Sequence, residues 1–282
     1  MIKFVSNILC MIIPVKNIRH KCRASIYRFL CKIFGKINYS TSLLYKEFAI
    51  KNTLIKPNDR ILVIAPHPDD DSIGCGGVLA KYKGQIDVVV INSSGVKYPW
   101  DVQSAESIAD ERIAEFYTCM DFLKVTNRKI WKIYGNPPHF DKIIKNIPSY
   151  MDAIDFTKYT HIFIPDLNDY HREHQFVTKY LLPYMLKHKK YNCNSKICYY
   201  SVWNTVTMPN YFEDITDVID VKCKAILLYK SRTKKEDNYA TRIKGLNYYY
   251  GLLCDVKYAE AFHIENIKDY LNRKFDRNWA LD

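Results

Sequence analysis

Short apolar runs alternate with helix-like stretches through the middle of this 282-residue chain. The strand-like runs are Arg60–Pro66, Ile86–Asn92, Lys129–Tyr134 and His161–Pro165. Between and after them, the pattern predicts helices over Ser72–Lys83, Val102–Leu123, Phe140–Ile154 and Glu173–Lys187. Such alternation is typical of βαβ units. We therefore expect an α/β, Rossmann-like fold with a mostly parallel sheet flanked by helices.

Polar clusters follow several of the predicted strands at the point where each strand ends. Ala65-Pro-His-Pro-Asp-Asp-Asp71 follows the first run, Ser93-Ser-Gly95 the second, and His171-Arg-Glu-His174 the fourth. Carboxylates beside an apolar run are costly unless a cation meets them, and a divalent metal is the usual cation. Sites in such sheets lie at the carboxyl ends of the strands, so we expect these clusters to converge.

These clusters contain the side chains that a catalytic metal centre needs. Such a centre uses about three N or O ligands and keeps one position open. His67 and Asp70 can bind one ion from a single turn, and His171 and His174 share one face of a helix. These clusters offer four or five candidate ligands, more than the three that the metal needs. A carboxylate and an imidazole therefore remain for proton transfer or oxyanion stabilisation. This inventory favours hydrolysis of an amide or ester.

Competing motifs fit the chain less well. His171-Arg-Glu-His174 is HxEH, which is neither the HExxH nor the HxxEH pattern of zinc proteases. Gly74-Cys-Gly-Gly77 does not match GxGxxG, and no Walker motif or GxSxG elbow occurs. We interpret these glycines as positions that let a helix approach the sheet.

Four segments in the same order resemble the PIG-L/LmbE-like zinc N-deacetylases. The segment Ala65-Pro-His-Pro-Asp-Asp-Asp71-Ser-Ile-Gly-Cys-Gly-Gly77 is similar to that family's (A/H)PHPDDE-x-x-G-GG signature. Asp110-Glu-Arg-Ile-Ala-Glu115 resembles its ER-x-x-E helix, and His171-Arg-Glu-His174 resembles its HPDH. Tyr258-Ala-Glu-Ala-Phe262 is similar to its YAEAF segment. The resemblance covers most of residues 58 to 265.

The resemblance implies a role for each matching residue. It makes His67, Asp70 and His174 the ligands of one Zn²⁺ per chain, although such ligands accept other divalent metals. It makes Asp69 the general base that activates water, and His171 the group that steadies the oxyanion or assists departure of the amine. Arg112 matches a position implicated in holding the sugar; the alternative is a salt bridge with Glu115 or another helix charge.

Three residues depart from the family pattern. Asp71 stands where Glu is usual, so we expect it beside the site rather than on the metal. Arg172 replaces the Pro of HPDH and adds a cation. Glu173 replaces its Asp and keeps a carboxylate able to orient a ring nitrogen. No departure removes a predicted ligand or the base, so we expect activity.

A basic arm precedes the predicted catalytic domain. Residues 1–36 contain eight Lys and Arg residues and no Asp or Glu. Their charge of +8 is most of the net charge of +12 of the whole chain. Apolar and basic residues interleave from Ile18 to Ile37, as in helices that lie on anionic membranes. We expect an amphipathic arm over residues 1–40 and a deacetylase domain over 41–282, with membrane contact through residues 1–37. The alternative is a solvated helix packed on its own domain; nucleic acid is not expected.

The combined prediction is a metal-dependent N-deacetylase of an N-acetylated amino sugar, lipid-linked or nucleotide-linked, in surface polysaccharide or glycolipid biosynthesis. Nine cysteines, an odd number without a CxxC pair, indicate reduced thiols in the cytoplasm. We therefore expect the protein in the cytoplasm, and the basic arm suggests a position at the inner face of the membrane. Two alternatives are a deacylase or amidase on another N-acyl substrate, and a non-catalytic, membrane-associated member of a glycan-assembly complex.

Overall fold

A seven-stranded sheet forms the centre of the protein. The computed structural model describes residues 55–92, 102–131, 147–231 and 239–275. The strands are β1 (Ile61–Ala65), β2 (Ile86–Val90), β3 (Asn127–Ile130), β4 (His161–Pro165), β5 (Lys196–Tyr200), β6 (Tyr211–Asp214) and β7 (Ala259–Asn266). Their order across the sheet is β3-β2-β1-β4-β5-β7-β6. The predicted α/β fold is confirmed.

The first five strands are parallel, and the last two make the sheet mixed. β1 pairs in parallel with β2 and β4, β2 with β3, and β4 with β5. β7 runs antiparallel to both β5 and β6. β3 begins two residues before the predicted Lys129–Tyr134 run, because this edge strand alternates exposed and half-buried side chains instead of forming an apolar run.

Helices cover both faces of the sheet. They are α1 (Asp70–Lys81), α2 (Val102–Leu123), α3 (Arg172–Phe176), α4 (Leu182–His188), α5 (Ile219–Leu227), α6 (Tyr239–Cys254) and α7 (Ile267–Asn272). A π-helical turn, Val177–Leu181, joins α3 to α4, and a 3₁₀ turn, Thr216–Val218, precedes α5. The predicted helix Val102–Leu123 has the observed bounds. Of the predicted Phe140–Ile154 helix, residues 147–151 are helical and 140–146 lie outside the described residues.

The central strands are buried on both faces. Ile61, Val63 and Ala65 of β1 belong to one hydrophobic cluster, together with side chains of α1, α2 and α5. Leu62 and Ile64 belong to the opposite cluster, with side chains of α3, α4 and α7. Alternate strand residues point to opposite faces, so a strand covered on both sides is apolar throughout. This is why β1 and β4 were recognisable in the sequence.

Close packing of α1 requires the glycines of its Gly74-Cys-Gly-Gly77 segment. A Cβ atom at Gly74 would lie 2.2 Å from the ring of Tyr200 on β5, and one at Gly77 would lie 2.3 Å from Ile215. The carboxylate of Glu260 on β7 accepts the N–H groups of Gly77 and Val78 at 2.7 and 3.0 Å. The glycines therefore serve helix-to-sheet packing, as interpreted from the sequence.

Some predictions fall outside the described residues. These are the amphipathic arm of residues 1–40 and the Ser93-Ser-Gly95 cluster. Within the described residues, no helix combines the length and hydrophobicity that a membrane span requires. The six described cysteines are all free thiols, as expected.

Candidate active site

The candidate site lies where the strand order reverses. From β1 the chain proceeds to β2 and β3 on one side, whereas β4 and β5 lie on the other. The β1–α1 connection carries His67, and the β4–α3 connection carries His171, which occupies the N-cap position of α3. Because α1 and α3 leave for opposite faces of the sheet, a crevice opens between neighbouring strand ends. The fold thus brings two sequence-distant clusters together.

Three side chains direct one donor atom each to a common point. His67 Nδ1 and His174 Nε2 each lie 3.1 Å from Asp70 Oδ2, and the two nitrogens are 3.3 Å apart. Asp70 Oδ2 also accepts the backbone N–H of His67 at 2.9 Å. All three residues are buried. The predicted ligand set is therefore a compact triangle of donors.

The dimensions of this triangle suit a tetrahedral metal ion. With ligand bonds of about 2.0–2.2 Å, two ligands of a tetrahedral ion lie about 3.3–3.6 Å apart. The observed separations of 3.1 to 3.3 Å are close to that edge length. A second set, the ring nitrogens of His67, His171 and His174, lies within 4.8 Å. Both sets can thus hold a metal ion. The donor atoms of His67, Asp70 and His174 are closer together than the three histidine nitrogens, so this set needs less side-chain movement to bind one.

Asp69 immediately precedes Asp70 and has a backbone conformation that L-residues rarely adopt. Its φ and ψ are 109° and −33°. The Nη2 atom of Arg112 lies 3.6 Å from Asp69 Oδ1 and donates to Pro68 O at 3.0 Å. Strained non-glycine residues concentrate at functional sites, where surrounding contacts hold them. The strain and the guanidinium together fix the predicted base.

Arg112 itself is buried, with 2% of its surface exposed. Its ionic partner is Asp69 of the β1–α1 connection, rather than Glu115 of its own helix. Glu115 accepts the N–H and hydroxyl of Ser231. The contact of Arg112 with a sugar stays a prediction.

Glu173 is placed as a carboxylate that orients a ring. It contacts His67 Nε2, and its other oxygen accepts the side-chain amide of Asn92 at 3.0 Å. With Nε2 directed at Glu173, the Nδ1 atom of His67 faces the triangle. Asn92 lies two residues beyond the end of β2 and was not singled out in the sequence, although a polar residue at a strand end was the available signal.

Asp71 faces away from the triangle, into the interior. Its Oδ1 accepts the N–H and hydroxyl of Ser72 and lies 3.4 Å from the hydroxyl of Tyr229. Burial raises the pKa of the Asp71 carboxyl to about 7. The residue that departs from the family's Glu therefore joins α1 to Tyr229, beside the site as expected.

Asp169 is the main site residue that the sequence analysis missed. Its Oδ2 lies 3.1 Å from His174 Nδ1, and its Oδ1 accepts the backbone N–H of His171 at 2.8 Å. The Asp169 side chain is fully buried. One carboxylate therefore holds both histidines of the β4–α3 connection. Like the other site residues, Asp169 is a polar residue shortly after a predicted strand, so its position was an available signal.

The electrostatics favour positive charge at the triangle. Burial alone would lower the pKa of His174, but Asp70 and Asp169 raise it to about 10. Burial also opposes charge on His67, yet Glu173 and Asp70 raise its pKa. The same carboxylates would attract a divalent cation.

His171 lies beside the triangle in a different electrostatic environment. Its ring centroid is 5.0 Å from that of His67 and 4.8 Å from that of His174. Burial, followed by positive charge on these two rings, lowers the pKa of His171 to about 4. The arrangement thus combines a cation site, a carboxylate and a neutral imidazole, which are the parts needed to hydrolyse an amide.

Comparison with known proteins connects this site to deacetylases. The family model described as "PIG-L: GlcNAc-PI de-N-acetylase" matches residues 62–185, from β1 into α4, somewhat less than half of the chain. Every metal ligand and catalytic residue predicted above lies within that range. A search of curated protein sequences gives no match.

Solved structures with the same fold include deacetylases and a hydratase. N,N'-diacetylchitobiose deacetylase from Pyrococcus horikoshii has a TM-score of 0.59 at 21% identity, covering 86% of this chain and 98% of that one. A deacetylase of the teicoplanin biosynthesis pathway has a TM-score of 0.54 at 16% identity, covering 74% and 99%. GalB, the 4-carboxy-2-hydroxymuconate hydratase from Pseudomonas putida, has a TM-score of 0.56 at 17% identity, covering 78% and 99%. The chain thus has the fold of these proteins, and it matches the PIG-L family model over the segment that contains its candidate active site.

Proposed function

We propose that this protein is a PIG-L-type, zinc-dependent N-deacetylase that removes acetyl from an N-acetylated amino sugar. The observation that carries the proposal is the donor triangle of His67, Asp70 and His174, with Asp69 and His171 beside it. Fold likeness alone is insufficient, because a hydratase shares the fold. The residues of the site, within the family match, favour amide hydrolysis.

His67, Asp70 and His174 would hold the ion, with another divalent metal as the alternative to zinc. An ion there would supply Lewis acidity, which lowers the pKa of water and withdraws electrons from a carbonyl. Glu173 and Asp169 orient the two imidazoles, so that each presents one nitrogen to the triangle.

Asp69 acts as the general base in this proposal. Its carboxylate removes a proton from the attacking water and later delivers that proton to the departing amine. The Arg112 guanidinium, 3.6 Å from Asp69 Oδ1, keeps the carboxylate in place. His171 donates one N–H to the oxyanion that develops on the acetyl carbonyl.

The substrate class rests on the named relatives. The family description names GlcNAc-PI, and one structural neighbour is named for N,N'-diacetylchitobiose. We propose an N-acetylated sugar that is a lipid-linked or nucleotide-linked precursor of a surface polysaccharide or glycolipid. Action in the cytoplasm or at the inner membrane face, with residues 1–37 contacting anionic lipid, belongs to the same proposal.

Two variants test the division of labour between ligand and base. Asp69→Asn should lower acetate release by at least about 100-fold, because general-base catalysis contributes that much or more. Its metal content, measured by plasma emission spectroscopy, should stay near one ion per chain. His174→Ala should lose metal as well as activity. Full metal occupancy in His174→Ala, or undiminished turnover in Asp69→Asn, would overturn these assignments.

The two alternative functions give different results in the same assay. A deacylase for another N-acyl substrate would bind metal and release a different acid, which a panel of N-acyl sugars identifies. A non-catalytic member of a glycan-assembly complex would release no acid from any panel member, with or without zinc.

A further inference from the structure

A groove adjoins the candidate site along the outer side of α3 and α4. Two neighbouring cavities, of about 400 and 460 Å³, lie between these helices and the segment that follows α7. Both are lined by Lys179, Lys274 and Phe275. Each is large enough for a small organic ligand. We call this pair of cavities the cationic groove.

The charges that line the cationic groove are all positive. Lys179, Lys187, Arg273 and Lys274 line it, and no carboxylate does so among the described residues. Arg273 is neutralised by Glu265, 2.7 Å away. Lys179 is half-buried, and its Nζ donates to Gln175 Oε1 at 3.2 Å. Burial lowers the pKa of Lys179, and the nearby charge of Asp166 offsets only part of that shift, so an anion in the groove would further offset the cost of its charge.

Aromatic rings form one wall of the groove. Tyr180 and Tyr184 follow one another along the helix, with ring centroids 6.2 Å apart and nearly parallel planes. Tyr180 also stacks on the buried ring of Phe176, at 5.4 Å between centroids. Tyr180 and Tyr184 are half-buried and line the larger cavity, as does Phe275. Rings beside cations suit an anion that carries a planar or apolar group.

One end of the groove lies close to residues of the candidate active site. Gln175 lines its near end, donates from its backbone N–H to His171 O at 3.1 Å, and donates from its side chain to Asp169 O at 2.8 Å. At a rise of about 1.5 Å per residue, Lys179 lies about 12 Å along the helix from His171. A hexose with an attached diphosphate can span that length.

We propose that the cationic groove binds the diphosphate of the carrier attached to the amino sugar, with the aromatic wall against the adjoining part of that carrier. The groove would hold the carrier while the acetamide lies at the metal triangle. This assignment of the substrate's carrier rests on the proposed function, whereas diphosphate binding by the groove does not.

Direct binding tests the proposal without turnover. Titration calorimetry of the full-length, metal-loaded protein would use three probes: inorganic pyrophosphate, UDP and farnesyl diphosphate. The double variant Lys179→Gln/Lys274→Gln should weaken binding of at least one probe by about 10-fold or more, since it removes two cations that would contact the diphosphate. Lys224→Gln, an exposed lysine on α5 at the opposite face of the sheet, is the charge-matched control and should bind as the wild type does.

The probes and a further variant separate the sources of binding. Tighter binding of UDP than of pyrophosphate would indicate a nucleotide carrier, and tighter binding of farnesyl diphosphate a lipid carrier. His174→Ala should retain binding, because the groove and not the metal holds the diphosphate. The proposal is wrong if no probe binds saturably, if Lys224→Gln weakens binding as much as the double variant does, or if His174→Ala abolishes it. Failure of deacetylation alone would leave these binding results unchanged.

Discussion

Asp69 combines a predicted chemical role with a backbone conformation that costs free energy. A non-glycine residue at φ of 109° is strained by about 1–3 kcal/mol. A strand-to-helix connection without function could place glycine here and avoid that cost. An aspartate is retained, next in sequence to Asp70, and its carboxylate lies 3.6 Å from Arg112. The strain is therefore an argument for function that is independent of the sequence motif.

Replacing Asp69 with alanine or glycine separates strain from chemistry. Both variants lose the carboxylate and should be inactive. Asp69→Gly should be the more stable of the two by about 1–3 kcal/mol, because glycine adopts positive φ without a steric penalty. Urea unfolding of both variants measures the difference. Greater stability of Asp69→Ala would show that this conformation is not strained.

Asp169 gives a second test, because it contacts both histidines of the β4–α3 connection. Asp169→Asn should weaken metal binding by about 10–100-fold, since carboxylates that hold ligating histidines contribute that much. Competition with a chromophoric chelator measures the affinity. Asp166→Asn is the matched control, because this buried carboxylate binds Thr207 and the Asn168 N–H. Equal affinities in the two variants would remove this role from Asp169.

At the residue scale, the sequence predicted the site only as far as a motif or a short spacing reached. His67, Asp70 and His174 meet as expected, and Glu173 contacts a ring nitrogen. Asn92 was missed because its importance comes from a contact with Glu173 on another connection. Asp169 was missed although it lies in the same connection as His171 and His174, because it stands outside the HxEH spacing. Burial of Arg112 likewise depends on how α2 packs, which spacing within one helix does not reveal.

Among the elements, α1 makes the strictest packing demand. Its N-terminal turn carries Asp70, and Gly74, one turn later, lies against Tyr200. The Tyr200 hydroxyl donates to Ile64 O on β1, which fixes the ring beneath the site. The position of the metal ligand Asp70 thus depends on the absence of a side chain at Gly74.

Two Gly→Ala changes test this packing. Gly74→Ala should destabilise the protein by about 1–3 kcal/mol, because the new Cβ would lie 2.2 Å from Tyr200 and force a shift. Gly245→Ala in α6 meets nothing within 4 Å and should stabilise by up to about 1 kcal/mol, as alanine favours helix. Midpoints of thermal unfolding check both. Similar shifts in the two variants would refute the packing argument.

Strands buried on both faces were predictable, and peripheral elements were not. β1 and β4 are continuous apolar runs, so their sequence shows them. β3 alternates half-buried and exposed side chains at the sheet edge, and its observed start precedes the predicted one. The antiparallel pairing of β7 with β5 and β6 depends on tertiary contacts, which local periodicity does not encode.

For the whole molecule, the order of the strands explains why the site exists. The β1 and β4 ends are neighbours at the reversal of strand order, although His67 and His174 are far apart in the sequence. The cationic groove lies along α3 and α4, which follow the same β4–α3 connection. Fold and site together support an N-deacetylase of amino sugars, and the diphosphate carrier is our proposal for its substrate.

The most direct test is acetate release from a panel of N-acetylated amino sugars, supplied free and linked to nucleoside or lipid diphosphates. The metal-loaded, full-length protein should release acetate and an equimolar primary amine from at least one member. Chelation should abolish the release and added Zn²⁺ should restore it. A protein that holds one metal ion per chain, yet releases no acetate from any member of the panel, would contradict the proposed deacetylase.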